Sequence, residues 1–183
     1  MIDKSTYEKM MERWGDVSSW AVWRPRLKNA TSNVGNMDWT KDENLLDTLN
    51  TRFVFVGLNC SEGEKKDEEE KAKEPVVPWR NFHSPWGRAK DFKLRCALEG
   101  TPYWGSYITD FYKKLPITNS HDIPARIRQE PWRVADAVRT LEEEIAALGG
   151  DKVLVGIGKD AHALLVEHFG NRYKVVGIRH YSD

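Results

Sequence analysis

Four apolar runs in this chain lead into loops that start at Asn59, Asp110, Gly158 and His180, and each loop contains at least one polar group able to do chemistry. An asparagine cannot act as a base, but its carbonyl can orient a water molecule. An ionised aspartate only accepts hydrogen bonds, so Asp110 suits a ligand N–H. His180 follows an apolar run, where a plain surface histidine is the weaker reading. Plainer readings stand beside the others. Asn59 is a residue type that takes left-handed turns, and Asp110 is a type that caps a following segment. Gly156-Ile157-Gly158-Lys159-Asp160 lacks the spacing of a phosphate-binding loop, and Asp160 reads as the cap of the next helix. His83 and His121 lie in polar loops and read as solvated. Cys60 and Cys96 form no zinc or redox spacing and read as free thiols.

The elements that must hold these groups alternate between strand and helix. Phe53–Gly57 is a short β-branched and aromatic run ending in glycine, as in a buried parallel strand. Ser106–Thr109, Lys152–Ile157 and Tyr173–Ile178 are the other strand candidates. Ser5 with Glu8 has capping-box spacing for a first helix, and Asp42–Leu49 suits a short one. Asp91–Leu98 closes on Gly100. Arg133–Leu148 places Val134, Val138, Leu141, Ile145 and Leu148 on one face before Gly149-Gly150. Asp160–Phe169 is the last helix. Glu62–Lys73 is dominated by Glu and Lys and reads as solvent-facing. This alternation predicts an α/β protein, a three-layer α/β/α sandwich with a central parallel sheet of about four strands. In such sheets the active crevice lies at the carboxyl ends of the strands. Residues 1–183 read as one domain, with 1–50 as an N-terminal extension packed on it.

Composition narrows the class. The chain has 183 residues, 40% of them hydrophobic, and 28 basic residues against 28 acidic ones. Zero net charge counts against strong nucleic-acid binding, which draws most of its affinity from phosphate neutralisation. Eight tryptophans either fill a core or offer stacking faces. The polar start MIDKSTYEKM is no signal or transit peptide, and no apolar run reaches membrane-spanning length. The expectation is a cytoplasmic protein with no membrane partner. The residues carry no signal of oligomeric state.

Three segments together resemble the uracil-DNA glycosylase superfamily. Val54-Phe55-Val56-Gly57-Leu58-Asn59-Cys60-Ser61 is similar to its first motif, a strand ending in a loop that positions the attacking water. Tyr107-Ile108-Thr109-Asp110 resembles its intervening strand, which ends in several branches in a uracil-reading asparagine. His180-Tyr181-Ser182 resembles its second motif. The order and spacing agree over most of residues 53–182. The resemblance implies catalytic roles for Asn59, which positions water, and His180, which hydrogen-bonds the base carbonyl as charge develops on the leaving base. It places Gly57, Leu58, Cys60, Phe82, Asp110 and Ser182 around the base, with Phe82 stacking on it. Phe82 and Trp86 also suit plain core. The sequence departs from the pattern at Cys60 and Tyr181, each in place of proline, and at Asp110, in place of asparagine. Members of the superfamily continue past the second motif into a duplex-wedging loop and a helix, whereas the last residue here is Asp183. The implied activity is hydrolysis of the glycosidic bond of a deaminated or damaged base in DNA, without metal or cofactor. The alternative is a non-catalytic member of the fold that binds a nucleobase, a nucleotide or a protein. Asn59, Phe82, Asp110 and His180 are expected to line one pocket.

Overall fold

The computed structural model describes residues 2–59, 77–85, 90–113, 115, 117 and 122–182. Cys60, Trp86, His121 and the Glu62–Lys73 segment lie outside them. The elements in chain order are α1 (Lys4–Trp14), β1 (Ser19–Trp20), a 3-10 turn (Asp38–Lys41), α2 (Leu45–Thr48), β2 (Asn50–Asn59), α3 (Asp91–Leu98), β3 (Ser106–Tyr112), α4 (Ile123–Gln129), α5 (Trp132–Leu148), β4 (Val153–Ile157), α6 (Lys159–Phe169) and β5 (Lys174–Ile178).

The expected four-stranded parallel sheet is corrected to a five-stranded mixed one, in the order β1-β3-β2-β4-β5. The added strand is β1, antiparallel to β3 through Ser19↔Ile108 and Trp20↔Tyr107. Its two residues are too few to show a periodicity. The other pairings are parallel, so β2, β3, β4 and β5 end on one edge of the sheet. β2 and β3 pair Gly57 with Asp110 and Asn59 with Tyr112. Asp110 is therefore inside a strand rather than capping the next segment.

Strand residues alternate between two buried clusters, as a period of two requires. Val54, Val56, Tyr107 and Leu154 meet Met10 and Trp14 of α1, Leu141 and Ile145 of α5, and Leu165 and Phe169 of α6. Phe55, Ile108, Val155 and Ile157 meet Leu94 and Leu98 of α3, with Trp23 and Phe82. At Gly156 the backbone of His162 comes so close that a Cβ there would collide with it, which sets α6 tightly on β4.

The first fifty residues supply the edge strand β1 and, with Trp20 and Trp39, part of the aromatic core. Trp20, Trp39 and Trp79 are fully buried, and Trp20 meets Tyr107 edge-on at 5.1 Å between centroids. Of the tryptophans, Trp132 is the clearly exposed one among the described residues, at 59%. Asp3, not Ser5, caps α1, its carboxylate accepting from the Thr6 amide at 2.9 Å. Gly158, not Asp160, holds the N-cap position of α6.

His83 is a further correction. It is buried, not solvated. Its Nε2 lies 2.8 Å from Ser19 Oγ, and Ser19 in turn donates to the Trp79 carbonyl at 2.6 Å. Asn81 donates to the Val17 carbonyl at 2.9 Å. These bonds seat residues 79–83 on the β1 side of the sheet. Trp79 and Phe82 take left-handed φ values of 67° and 63°, uncommon for large side chains and held here by the packing around them.

Among the described residues, no helix is long and apolar enough to cross a membrane.

Candidate functional site

Three of the sequence-derived residues are in contact at the carboxyl edge. Asp110 faces Gly57 across the β2–β3 pair, and Phe82 lies over the same glycine. A Cβ on Gly57 would collide with Asp110 Oδ1 and sit 3.4 Å from Phe82 Cζ. Only a glycine lets both groups close over β2 at this point. Asn81 holds the carboxylate from the other side, donating from Nδ2 to Asp110 Oδ2 at 2.9 Å.

Asp110 is 3% exposed, and burial pushes its carboxyl up to about 6. The Asn81 hydrogen bond and the Lys113 ammonium pull it down, while Glu144 and Asp91 push it further up. A carboxyl poised there exchanges a proton near neutrality and, when ionised, accepts from ligand N–H groups.

Asp91, the first residue of α3, was not singled out by sequence, because an acidic residue at a helix start is ordinary. It is buried, and burial raises its carboxyl to about 6. Its Oδ2 accepts from the Ser84 amide at 2.8 Å and its Oδ1 from the Tyr181 hydroxyl at 3.2 Å. Both bonds pull its pKa back down. Through Asp91 the two halves of the site meet, since its charge acts on Asp110 and its hydrogen bond holds the segment after β5.

In that segment His180 lies beside Gly158, the residue following β4; a Cβ there would be 3.4 Å from His180 Cβ. The Ser182 amide donates to His180 Nδ1 at 3.2 Å, and Ser182 Oγ is 2.7 Å from the same nitrogen. A backbone N–H only donates, so Nδ1 is the acceptor and the neutral ring carries its proton on Nε2.

Asn59 shares the edge but is engaged elsewhere. Its Nδ2 donates to the carbonyls of Leu115 at 3.3 Å and Ile117 at 2.9 Å. These bonds fix the amide's orientation and leave Oδ1 as the acceptor prong. Leu58 packs with the cluster of α1, α5 and α6 on the opposite face from Gly57. Phe82 is only 8% exposed and packs as core with Phe55 and Leu94. The expectation of one pocket lined by four side chains thus resolves into a Gly57–Phe82–Asp110 contact, a His180–Ser182 pair and a separately tethered Asn59. Cys60 lies outside the described residues.

A cleft of about 260 Å³ lies elsewhere, between the end of α1, the end of β3 and the first turns of α5. Arg13, Lys113 and Arg133 line it, and among the described residues none of the sequence-derived ones does. Its floor adjoins a buried polar network. Glu144 on α5 is fully buried and pairs with Lys113 at 2.7 Å. It also accepts from Tyr107 Oη at 3.1 Å and Thr109 Oγ1 at 3.2 Å.

Among the described residues, no group of three or more His, Cys, Asp or Glu side chains is placed to hold a metal ion. Comparison with family models, with curated proteins and with solved structures gives no match.

Proposed function

We propose that the carboxyl edge is a nucleobase site and that the protein is a DNA N-glycosylase of the uracil-DNA glycosylase type, built as a three-layer α/β/α sandwich. The observation that carries this reading is the contact of Gly57, Phe82 and Asp110 on the sheet edge that also holds His180, whose Nδ1 accepts from the Ser182 amide. The base would be flipped out of the duplex. Asn59 Oδ1, held in place by the amide's bonds to Leu115 and Ile117, would orient the attacking water. His180 Nε2–H would donate to the base carbonyl as negative charge builds on it. Asp110 would accept from a base N–H and, when protonated, would also donate.

A second reading has its own support. Phe82 and Asp110 are 8% and 3% exposed, and the Asn59 amide is committed to two carbonyls. A closed site of this kind also suits a protein that binds a base, a nucleotide or a protein without cleaving anything.

Single-turnover cleavage of single- and double-stranded DNA carrying uracil, hypoxanthine or xanthine separates the two. The glycosylase reading expects cleavage by the unmodified chain and a loss of roughly 10²–10³-fold in His180→Ala, typical of one oxyanion-type donor. It expects Asp110→Asn to raise preference for uracil, because an amide offers both a donor and an acceptor. No cleavage of any of the three bases, and none gained by Asp110→Asn, abandons the enzyme in favour of the binding protein.

A further inference from the structure

We propose that Tyr181 and Asp91 are positioning residues for His180, acting through a ring stack whose far end is hydrogen-bonded to a carboxylate seated on α3. The inference rests on the reading of His180 as the ligand-facing donor. The imidazole and phenol rings lie 4.6 Å apart between centroids, with 21° between their planes. The Tyr181 hydroxyl donates to Asp91 Oδ1 at 3.2 Å. Asp91 is itself 5% exposed, and its other oxygen takes the Ser84 amide at 2.8 Å. With both oxygens engaged, the carboxylate is a fixed anchor.

Among the described residues, Ser182 and Tyr181 constrain His180 in different ways. The Ser182 amide decides which nitrogen is the acceptor, and so which one carries the proton. The Tyr181 face sets the plane in which the ring lies, and so the direction of its Nε2–H. A hydrogen-bond donor aimed at developing charge is only useful within a narrow range of angles, so the ring plane matters as much as the tautomer. In this arrangement Asp91 acts on His180 through Tyr181. Ser84 follows Phe82 by two residues, so the segment that places the aromatic over Gly57 also seats the anchor for the histidine. The site's two halves are thereby set against one another through the Asp91 carboxylate.

The test is nuclear magnetic resonance of the full chain labelled at histidine ring carbons, at about pH 8, above the range in which an ordinary histidine titrates. The His180 signals are assigned by their loss in His180→Gln. The expected result in the unmodified chain is ring protons displaced upfield by the Tyr181 face, with direct cross-relaxation between the two rings. Absence of that cross-relaxation overturns the proposal without recourse to any variant. Tyr181→Phe deletes only the hydroxyl and is expected to move the His180 signals most of the way to their position in Tyr181→Leu. Asp91→Ala is expected to do the same, with the buried His83 signals unchanged as the mark of an intact fold. Wild-type His180 signals in Tyr181→Phe overturn the anchor through Asp91. In the cleavage assay, Tyr181→Phe is expected to lower the single-turnover rate roughly 10-fold, as for other partners that orient a functional histidine, with the half-saturating DNA concentration unchanged. An unchanged rate in a chain that cleaves overturns the positioning role. If the unmodified chain cleaves no base, the glycosylase reading falls while the ring signals still decide the positioning.

Discussion

Asp110 and His83 are both buried, and they respond to pH in opposite senses. The Asp110 carboxyl titrates near 6 when folded, against an ordinary 3.8. Its contribution to stability is complete below 3.8 and is lost as the pH rises through about 6. Asp110→Asn cannot ionise, so its stability relative to the parent is expected to rise between pH 4 and 6 and then level off. The gain approaches about 3 kcal/mol, read from urea unfolding across that window. His83 is pushed down to about 3 by burial. Its folded form stays neutral while the unfolded chain takes a proton below 6.5, so stability is lost as the pH falls from 6.5 toward 3. The parent's advantage over His83→Gln is expected to shrink by up to about 1.4 kcal/mol per pH unit over that range. A difference independent of pH in either series contradicts the burial assigned to that group. His83 was illegible in the sequence, where a histidine between Phe82 and Ser84 in a proline-punctuated stretch looks solvated. Its burial comes from Ser19 and Trp20, more than sixty residues away. Asp91 was hidden for the converse reason, since its local position already explained it. Gly57 and Asp110 were legible, because a glycine ending one strand and an acid in the next fall at one edge once the strands run parallel.

Among the elements, α3, α5, α6 and four strands were legible within a few residues, since apolar periodicity and glycine stops are local signals. β1 was not, because two residues have no period and Ser19 and Trp20 are held by β3. Nor was α4, a seven-residue helix with Pro124 in its first turn. The buried face of α5 is legible at Leu141, Ile145 and Leu148, but Glu144 shares it. A charge there is tolerated because Lys113, Tyr107 and Thr109 all reach it. Burying one partner of such a pair alone is costly. Glu144→Leu is expected to cost about 3–5 kcal/mol by leaving Lys113 without its carboxylate. Lys113→Met combined with Glu144→Leu is expected to recover most of that loss in urea unfolding. If the double variant is no better than Glu144→Leu, the pair is not what holds α5 on β3.

For the proposed glycosylase, zero net charge limits how DNA would be held. Contacts to phosphate are expected to be few, and each neutralised duplex phosphate adds about 0.9 to the slope of log K against log salt. A shallow but measurable salt dependence in a fluorescence-anisotropy titration is the expected outcome; affinity indifferent to salt, or no binding at low salt, points to a ligand other than nucleic acid. The strand order carries a separate consequence, for synthesis. β1 is an edge strand whose partner, β3, begins almost ninety residues later, and the pairs Ser19↔Ile108 and Trp20↔Tyr107 are its register. At roughly 5–20 residues per second, a ribosome needs about 4–18 s to make that intervening stretch. During this interval Trp14, Trp20 and Trp23, each nearly inaccessible in the finished protein, have no sheet to cover them. The nascent chain therefore exposes an aromatic segment until β3 emerges, and that segment is where a chaperone recognising unfolded apolar stretches would engage it.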